Sequence, residues 1–234
     1  MLAAVLAISW QWTKEMAKNA MLWVMVALPT GIAWAVMHTG AGGAQPFAAL
    51  WLVFAQLMTG LMLSSGHWLE EREQGTWQAL RVSPVPVGWL LAAQAALISV
   101  VTLLSELLVF WVNHGASPWS GPLASYTVLG AVTATAIGVL IGVLSPSARA
   151  GSMLATVVML VLFLGAITAP GLAGFPLLQD ALRWLPSVLT LTALNAALAG
   201  SYPPASTTAV LGLWPLLAVA CVHLALRREY RVGR

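Results

Sequence analysis

The sequence predicts an all-α integral membrane protein with six transmembrane helices, on the strength of its composition, its apolar stretches and its distribution of positive charge. Hydrophobic residues make up 60% of the 234-residue chain and charged residues only 7%, whereas a soluble domain has about 25% charged residues. This composition excludes a soluble globule and also excludes intrinsic disorder. The net charge of +3 is too small for a surface that binds nucleic acid.

Six apolar stretches approach or reach the length of about 20 residues that a membrane span requires. They occupy residues 20–37, 47–68, 88–111, 126–144, 152–169 and 209–226. An even number of spans places both termini on the same side of the membrane. We therefore treat residues 1–234 as one transmembrane domain.

The positive charges are distributed unevenly between the two sides of this topology. Nine of the ten Lys and Arg residues lie in the terminal segments and in the connections 69–87 and 145–151, which share one side. Only Arg183 lies on the other side. Because Lys and Arg concentrate in the cytoplasmic loops of membrane proteins, both termini are predicted to be cytoplasmic.

The N-terminal segment 1–18 fits no span. Its polar residues Gln11, Lys14, Glu15 and Lys18 recur at helical spacing, with apolar residues around them. This pattern predicts an amphipathic helix that lies in the cytoplasmic interface. A cytoplasmic extension of the first span is the alternative.

The long connection 170–208 also fits no span. It contains two apolar pieces, residues 172–185 and 188–199, and each is shorter than a spanning helix. Pro186 favours a break between them. We therefore predict an external, re-entrant helical hairpin over residues 171–200, between the fifth and sixth spans.

Small residues recur every four positions in the fourth span, at Gly130, Ala134, Gly138 and Gly142. Such a stripe allows another helix to approach the backbone closely. The stripe does not say whether that helix belongs to the same chain, and chance in a chain rich in Gly and Ala is the alternative.

Tryptophans mark the ends of the predicted spans. Trp34, Trp51, Trp68, Trp89 and Trp111 all fall near predicted interfaces. An indole ring has an apolar body and a polar N–H group, so we expect these side chains at the membrane surface.

Glu106 is the only ionisable residue deep inside a predicted span, and Ser99 and Thr102 lie on the same helical face. Carboxylates within a membrane usually face a bundle interior or an aqueous path. Glu106, Ser99 and Thr102 are therefore candidate residues of a substrate path. A hydrogen bond to another helix, or a hydrated position near the outer interface, are alternatives of at least equal weight.

The sequence disfavours an enzyme. A P-loop needs a lysine directly after a glycine, but Lys14 and Lys18 follow Thr13 and Ala17. The chain is therefore not expected to hydrolyse ATP by itself.

The region around His67 offers a weak metal site and a weak catalytic site. His67, Glu70 and Glu71 share a helix end, but no second cluster of ligands accompanies them, so we predict no metal. Ser64 and Ser65 near His67 raise the alternative of an intramembrane protease. Their spacing supplies no third group to orient the histidine as a base.

The most distinctive segment is a charged island, residues 69–94, which holds three of the seven acidic residues. Residues 70–81 are predicted to form a short amphipathic helix before Pro84 and Pro86 turn the chain back into the third span. An ordinary polar loop is the alternative.

The island also carries a motif. The run Glu71-Arg72-Glu73-Gln74-Gly75-Thr76, followed by Leu80, Val82 and Ser83-Pro84-Val85, resembles the acidic, Gly-Thr and Ser-Pro signature after the second span in permeases of the type-2 ABC exporter family. The order of elements is similar too, with an interfacial helix, six spans and an external hairpin. Trp77 and Gln78 stand where the family more often has Leu and Glu. This difference concerns which ATPase subunit is the partner and not the resemblance to the family.

The resemblance implies that residues 70–82 form a coupling helix, seated in a groove of a separate nucleotide-binding subunit. The residues implied in this contact are Glu70, Glu71, Arg72, Glu73, Gln74, Gly75, Thr76, Leu80 and Pro84. By the same resemblance, two permease copies, identical or different, assemble with two ATPase subunits in a bacterial-type plasma membrane. ATP and Mg are then bound by the partner, and this chain holds no cofactor.

The expected function is export of an amphiphilic small molecule or antibiotic, driven by the partner ATPase. Permeases of the same architecture that export haem, a lipid or a glycan are the alternative within this class. A membrane scaffold that transports nothing and an intramembrane enzyme are the alternatives from other classes.

Overall fold

The computed structural model describes residues 2–39, 48–75, 86–114, 120–171 and 174–232. Within these ranges the chain forms helices and no strands. The helices of the described ranges are α1 (Leu2–Lys18), α2 (Ala20–His38), α3 (Ala48–Glu73), α4 (Val87–His114), α5 (Gly121–Leu144), α6 (Ala148–Thr168), α7 (Pro176–Leu182), α8 (Pro186–Leu198) and α9 (Ala205–Val232). One turn of 3₁₀ helix, Ala169–Gly171, extends α6.

Five of the described helices, α3, α4, α5, α6 and α9, are long and apolar enough to cross a membrane. The helix α2 adds a sixth when it is counted together with the end of α1. Each of the six predicted apolar stretches coincides with one of these helices. The all-α class is thereby confirmed for the described residues, and the lengths and compositions of these helices are consistent with a multi-pass membrane protein.

The helices α1 and α2 meet at an angle of 72°. Asn19 lies between them with an extended backbone, and its side-chain oxygen accepts a hydrogen bond from the Met21 N–H group at 2.9 Å. This is an N-cap, which begins a new helix. The Trp23 indole N–H donates to the Ala17 carbonyl oxygen at 2.9 Å, so it satisfies an acceptor at the end of α1. The first helix is therefore not a straight extension of α2.

The most deeply buried of the spanning helices is α3. Its middle segment, Gln56–Met62, is a π-helix, flanked by the α-helical segments Ala48–Ala55 and Leu63–Glu73. A π-helical segment inside an α-helix is rare and often marks a functional position. Sequence analysis did not predict it.

The small-residue stripe of α5 faces α3. A Cβ atom on Gly138 would collide with the Ser64 hydroxyl and with the Leu61 carbonyl oxygen, and one on Gly142 would lie 2.6 Å from the Trp68 Cβ. These contacts confirm the predicted close approach of a second helix. They also identify the partner, which is a helix of the same chain.

The connection between α6 and α9 contains two short helices, with the predicted break immediately before Pro186. Proline is favoured at the first position of a helix because an N–H group there has no acceptor within the helix, so nothing is lost when proline lacks it. Most residues of α8 are buried, and the Ser187 hydroxyl donates to the Leu162 carbonyl oxygen of α6 at 2.6 Å. By contrast, α7 has no buried residue.

The tryptophans at the predicted span ends behave in two ways. Trp34, Trp89 and Trp111 are exposed on the surface of the bundle, as expected of rings at an interface. Trp68 is only 1% exposed and packs in an apolar cluster that includes Val143. Trp68 therefore does not face the surface of the bundle, because its helix lies inside it. Its position near a membrane interface stays a prediction.

Candidate functional site

The segment predicted to contact an ATPase begins inside α3. The helix continues without interruption through Glu73, and Gln74 caps its C-terminus. Gly75 follows with φ of 72°, a left-handed conformation that commonly ends helices and that larger side chains rarely adopt. Residues 70–73 are thus the last turn of the second span and not the start of a separate short helix. The implied contact residues outside the described ranges are Thr76, Leu80 and Pro84.

The charges of this last turn point in different directions. Glu70 and Glu73 are exposed, whereas Glu71 is buried and Arg72 is half-buried. The difference follows from helical geometry, since residues four apart share a face and Glu71 and Arg72 continue the inward face of α3. Of these four charged side chains, only those of Glu70 and Glu73 are exposed on the surface.

The Arg72 side chain reaches across to the end of α5. Its Nη1 atom donates to the Val143 carbonyl oxygen at 2.8 Å and to the Ser145 carbonyl oxygen at 2.6 Å. The last carbonyl groups of a helix have no partner within the helix and carry partial negative charge, so a guanidinium group there is favourable. Arg72 therefore connects the end of α3 to the end of α5.

The same end of α3 also contacts α1. The Trp12 ring meets the His67 ring edge-on, with 5.9 Å between ring centroids. His67 Nε2 lies 3.6 Å from Glu71 Oε1, one turn further along α3. The N-terminal helix is thereby packed against the turn that precedes the exposed charges.

The serines near His67 are not arranged as nucleophiles. The Ser64 hydroxyl lies 3.0 Å from the Thr135 carbonyl oxygen and 3.3 Å from the Leu61 carbonyl oxygen, and the Ser65 hydroxyl donates to the Met62 carbonyl oxygen at 3.0 Å. A catalytic serine donates its proton to a base instead. These hydroxyl groups satisfy helix carbonyl groups, which is a structural role.

Glu106 belongs to α4, and its fully buried side chain faces α3. One of its carboxyl oxygens, Oε1, accepts a hydrogen bond from the Gln56 side-chain amide. The same amide nitrogen lies 3.5 Å from the Thr127 carbonyl oxygen of α5, and Gly130 leaves the space that the Gln56 side chain occupies. Gln56 therefore links three helices through Glu106 and Thr127.

Ser99 and Thr102 are buried on the same face of α4 as Glu106, and the Thr102 hydroxyl donates to the Ile98 carbonyl oxygen at 2.9 Å. The hydrogen bond from Gln56 corresponds to the alternative in which Glu106 pairs with another helix. The role of the three residues in a substrate path stays a prediction, since all of them are enclosed within the protomer here.

Several buried polar atoms of this region have no hydrogen-bond partner within the described residues. They are Glu106 Oε2, Thr127 Oγ1 and Thr135 Oγ1. A cavity of about 10 Å³ lies beside Gln56, lined also by Thr133, Ser187 and Thr190. Its size is that of about one water molecule.

Gln56 is the functional candidate that sequence analysis missed. It is the first residue of the π-helical segment, and it pairs with a carboxyl group 50 positions away in the chain. A polar side chain in the middle of an apolar span is costly unless it is paired. This signal, shared with Thr59, was present in the sequence.

No protein-family model matches the chain, and no curated protein matches it at a significant level. Within the described ranges, no group of three or more His, Cys, Asp or Glu side chains is placed to hold a metal ion.

Proposed function

We propose that this chain is the transmembrane permease subunit of an ABC exporter and that ATP is bound and hydrolysed by a separate subunit. The construction of α3 carries this proposal. One helix joins the exposed end at Glu70–Gly75 to the buried polar cluster around Gln56. The motif that resembles type-2 ABC exporters begins at this exposed end, where Glu73 and Gln74 are accessible to a soluble subunit.

In the proposed topology, α1 and the end of α3 face the cytoplasm of a bacterial-type cell. Contacts of α1 with His67 and of Arg72 with Ser145 bring the basic residues of several helices to one end of the bundle. The described basic residues at this end are Lys14, Lys18, Arg72, Arg149 and Arg227. This clustering is what the preference of Lys and Arg for the cytoplasmic side requires.

Cysteine labelling tests this topology. Gln74 and Ser201 are exposed at opposite ends of the bundle, so each is replaced by Cys after the exposed Cys221 has been replaced by Ala. In intact cells, an impermeant thiol reagent is expected to label Ser201→Cys and not Gln74→Cys. Labelling of Gln74→Cys from outside would contradict the topology.

The proposed hairpin is external and re-entrant. Leu162, which accepts the Ser187 hydrogen bond, lies nine residues before the end of the α6 extension at Gly171. At about 1.5 Å per residue, this places the start of α8 about 14 Å inside that end of the bundle. From there α8 returns towards the outer surface, while α7 stays exposed and carries the ion pair of Asp180 and Arg183 at 3.0 Å.

The proposed mechanism uses these contacts. Closure of the ATPase pair moves the exposed end of α3, which binds the ATPase through Glu70, Glu73 and Gln74. Arg72 transmits the displacement to α5, since it bonds to the last carbonyl groups of that helix. At the middle segment of α3, the contact between Gln56 and Glu106 changes as the helices shift. Two permease copies alternate between conformations in this way, and cargo leaves through their interface.

The proposed cargo is an amphiphilic small molecule or antibiotic, with haem, a lipid or a glycan as the alternative. Glu106, Ser99 and Thr102 contact such a cargo only in a conformation that separates α3 from α4, because they are enclosed here. Stimulation of the ATPase activity by members of each cargo class distinguishes these substrates.

Charge reversal at the exposed end tests the assignment. The variant Glu73→Lys is expected to lose the ATPase activity that co-purifies with the chain, and to lose ATP-driven export from inverted vesicles, while equilibrium binding of cargo is retained. Glu15→Lys, the same change at an exposed residue of α1, serves as the matched control. Full ATPase activity and export in Glu73→Lys would contradict the coupling role. A chain that never co-purifies with a nucleotide-binding subunit would favour a scaffold.

A further inference from the structure

A lateral groove of about 180 Å³ lies between α4, α5 and α9. It lies where α4 begins and α9 approaches its end, since Gly88 and Leu226 both line it. Its floor belongs to a buried apolar cluster that includes Leu91, Val139 and Val222. The groove is therefore an apolar slot at the end of the bundle that also holds the last turn of α3.

Small residues of α4 form one wall of this groove. Gly88, Ala92 and Ala95 recur at helical spacing on one face. A Cβ atom added to Gly88 would meet nothing within 4 Å. Gly88 and Ala92 are exposed, so this part of the wall, unlike the stripe of α5, is not covered by a neighbouring helix of the described chain. Ala95 packs against the apolar cluster at the floor of the groove.

The opposite wall ends in basic side chains. His223 of α9 lines the groove, and the exposed Arg227 follows one helical turn later, on the same side of α9. The sequence continues with Arg228, Arg231 and Arg234. An apolar slot that ends at a cation is complementary to an amphiphile with a hydrocarbon chain and an anionic head group.

We infer that the groove is a binding site for an anionic phospholipid. One acyl chain lies in the slot between α4 and α9, and the phosphate group lies at His223 and Arg227. The inference uses the cytoplasmic position proposed for this end, because anionic lipids are enriched in the cytoplasmic leaflet. It needs neither an ATPase partner nor transport.

The charges favour a lipid over a second copy of the chain. In a two-fold symmetric dimer each surface meets its own equivalent, so a contact through this groove would bring the two exposed Arg227 side chains towards each other. Juxtaposition of like charges is costly. An anionic phosphate group removes this repulsion.

Native mass spectrometry of the purified chain, without any ATPase subunit, tests the proposal. Phosphatidylglycerol is expected to stay bound at concentrations where phosphatidylcholine does not. The variant Arg227→Gln is expected to weaken phosphatidylglycerol binding about fivefold, the effect of one basic residue near an anionic lipid surface. Lys18→Gln removes an exposed basic residue of α1 and is expected to leave binding unchanged.

A second variant tests the acyl-chain slot independently of charge. Gly88→Leu fills the groove with a side chain and is expected to reduce binding of phosphatidylglycerol severalfold. Gly31→Leu is the control, because a Cβ atom on this α2 glycine also meets nothing within 4 Å.

Three results would overturn the proposal. The first is equal binding of the two lipids by the wild-type chain. The second is an equal loss of phosphatidylglycerol in Arg227→Gln and Lys18→Gln, which would indicate a general surface attraction. The third is loss of dimers in Gly88→Leu without any change in bound lipid, which would identify a second copy as the occupant. Because no ATPase is present, each of these results is independent of the proposed export function.

Discussion

Small residues produce opposite results at two interfaces of α5. Towards α3, Gly138 and Gly142 allow the backbones to approach so closely that even one added Cβ atom would collide. Towards α4 and α9, the small residues Gly88, Ala92 and Ala136 leave an open groove instead. A small residue thus leads to close helix packing only where the neighbouring helix supplies atoms that fill the space beside it.

The contrast assigns different roles to the two regions. The tight interface joins α3 and α5 over their length, and Arg72 joins them again at the end. Such close packing resists displacement of one helix relative to the other, which is what the proposed transmission of motion requires. The open interface leaves an apolar groove above the buried cluster of Leu91, Val139 and Val222, which suits a binding surface.

The largest expected effect is at the tight interface. Gly138→Leu forces a side chain against the Ser64 hydroxyl and the Leu61 carbonyl oxygen. We expect a loss of about 3 kcal/mol in the free energy of unfolding through overpacking. Thermal melting in detergent measures it, with Gly31→Leu as the control in open space. Equal melting temperatures of the two variants would show that α3 and α5 are not closely packed.

The next effect concerns the polar contact that crosses the same region. Gln56→Leu leaves the buried Glu106 carboxyl group without its donor, and we expect a loss of about 2 kcal/mol. The double variant with Glu106→Leu is expected to be less destabilised than the sum of the two single variants, because it removes both polar partners. Strict additivity of the melting data would mean that the two side chains do not interact.

A smaller effect is expected at the end of the helix pair. Arg72→Ala removes the donor to the Val143 and Ser145 carbonyl oxygens and should cost about 1 kcal/mol. Arg227→Ala, which removes a more exposed arginine near a helix end, is the comparison and should cost less. Arg72→Ala is also expected to reduce export more than binding of the ATPase subunit. Normal export in Arg72→Ala would remove this residue from the transmission path.

The smallest effect is expected at the groove. Ala92→Leu places a larger side chain on an exposed wall position, so the stability of the chain should change by less than about 0.5 kcal/mol. The measurement is the melting temperature after lipid has been removed, which separates packing from ligand binding. A large destabilisation would mean that the groove closes in the folded chain and that the two interfaces are alike.

Much of the architecture was predictable from local features. The apolar stretches coincide with helices because backbone groups inside a bilayer must be satisfied within a helix. Asn19 and Pro186 mark helix starts through their own chemistry, as an N-cap and as a first-turn proline. Of the candidate site, the burial of Glu106 was foreseen as one of two alternatives, since a carboxyl group in a span needs a partner.

The details of the site depended on distant parts of the chain. The burial of Trp68 inside the bundle was not predicted, because nothing in its own span reveals that α3 is central. The charges at Glu71 and Arg72 were predicted to belong to a surface, yet helix continuation through Glu73 turns both inwards. The sequence before Gly75 contains no helix-breaking residue near the predicted end of the second span, so the local pattern did not show that α3 continues to Glu73.

The sequence by itself determined the class of the protein, the number of apolar stretches and the asymmetry of positive charge, since each depends on composition along a single segment. Only the tertiary structure decided that Gln56 pairs with Glu106, that Arg72 bonds to the end of α5, and that one set of small residues is filled while another stays open. These features depend on which helices become neighbours. That choice is made by the summed packing of residues 50 or more positions apart, and no single segment encodes it.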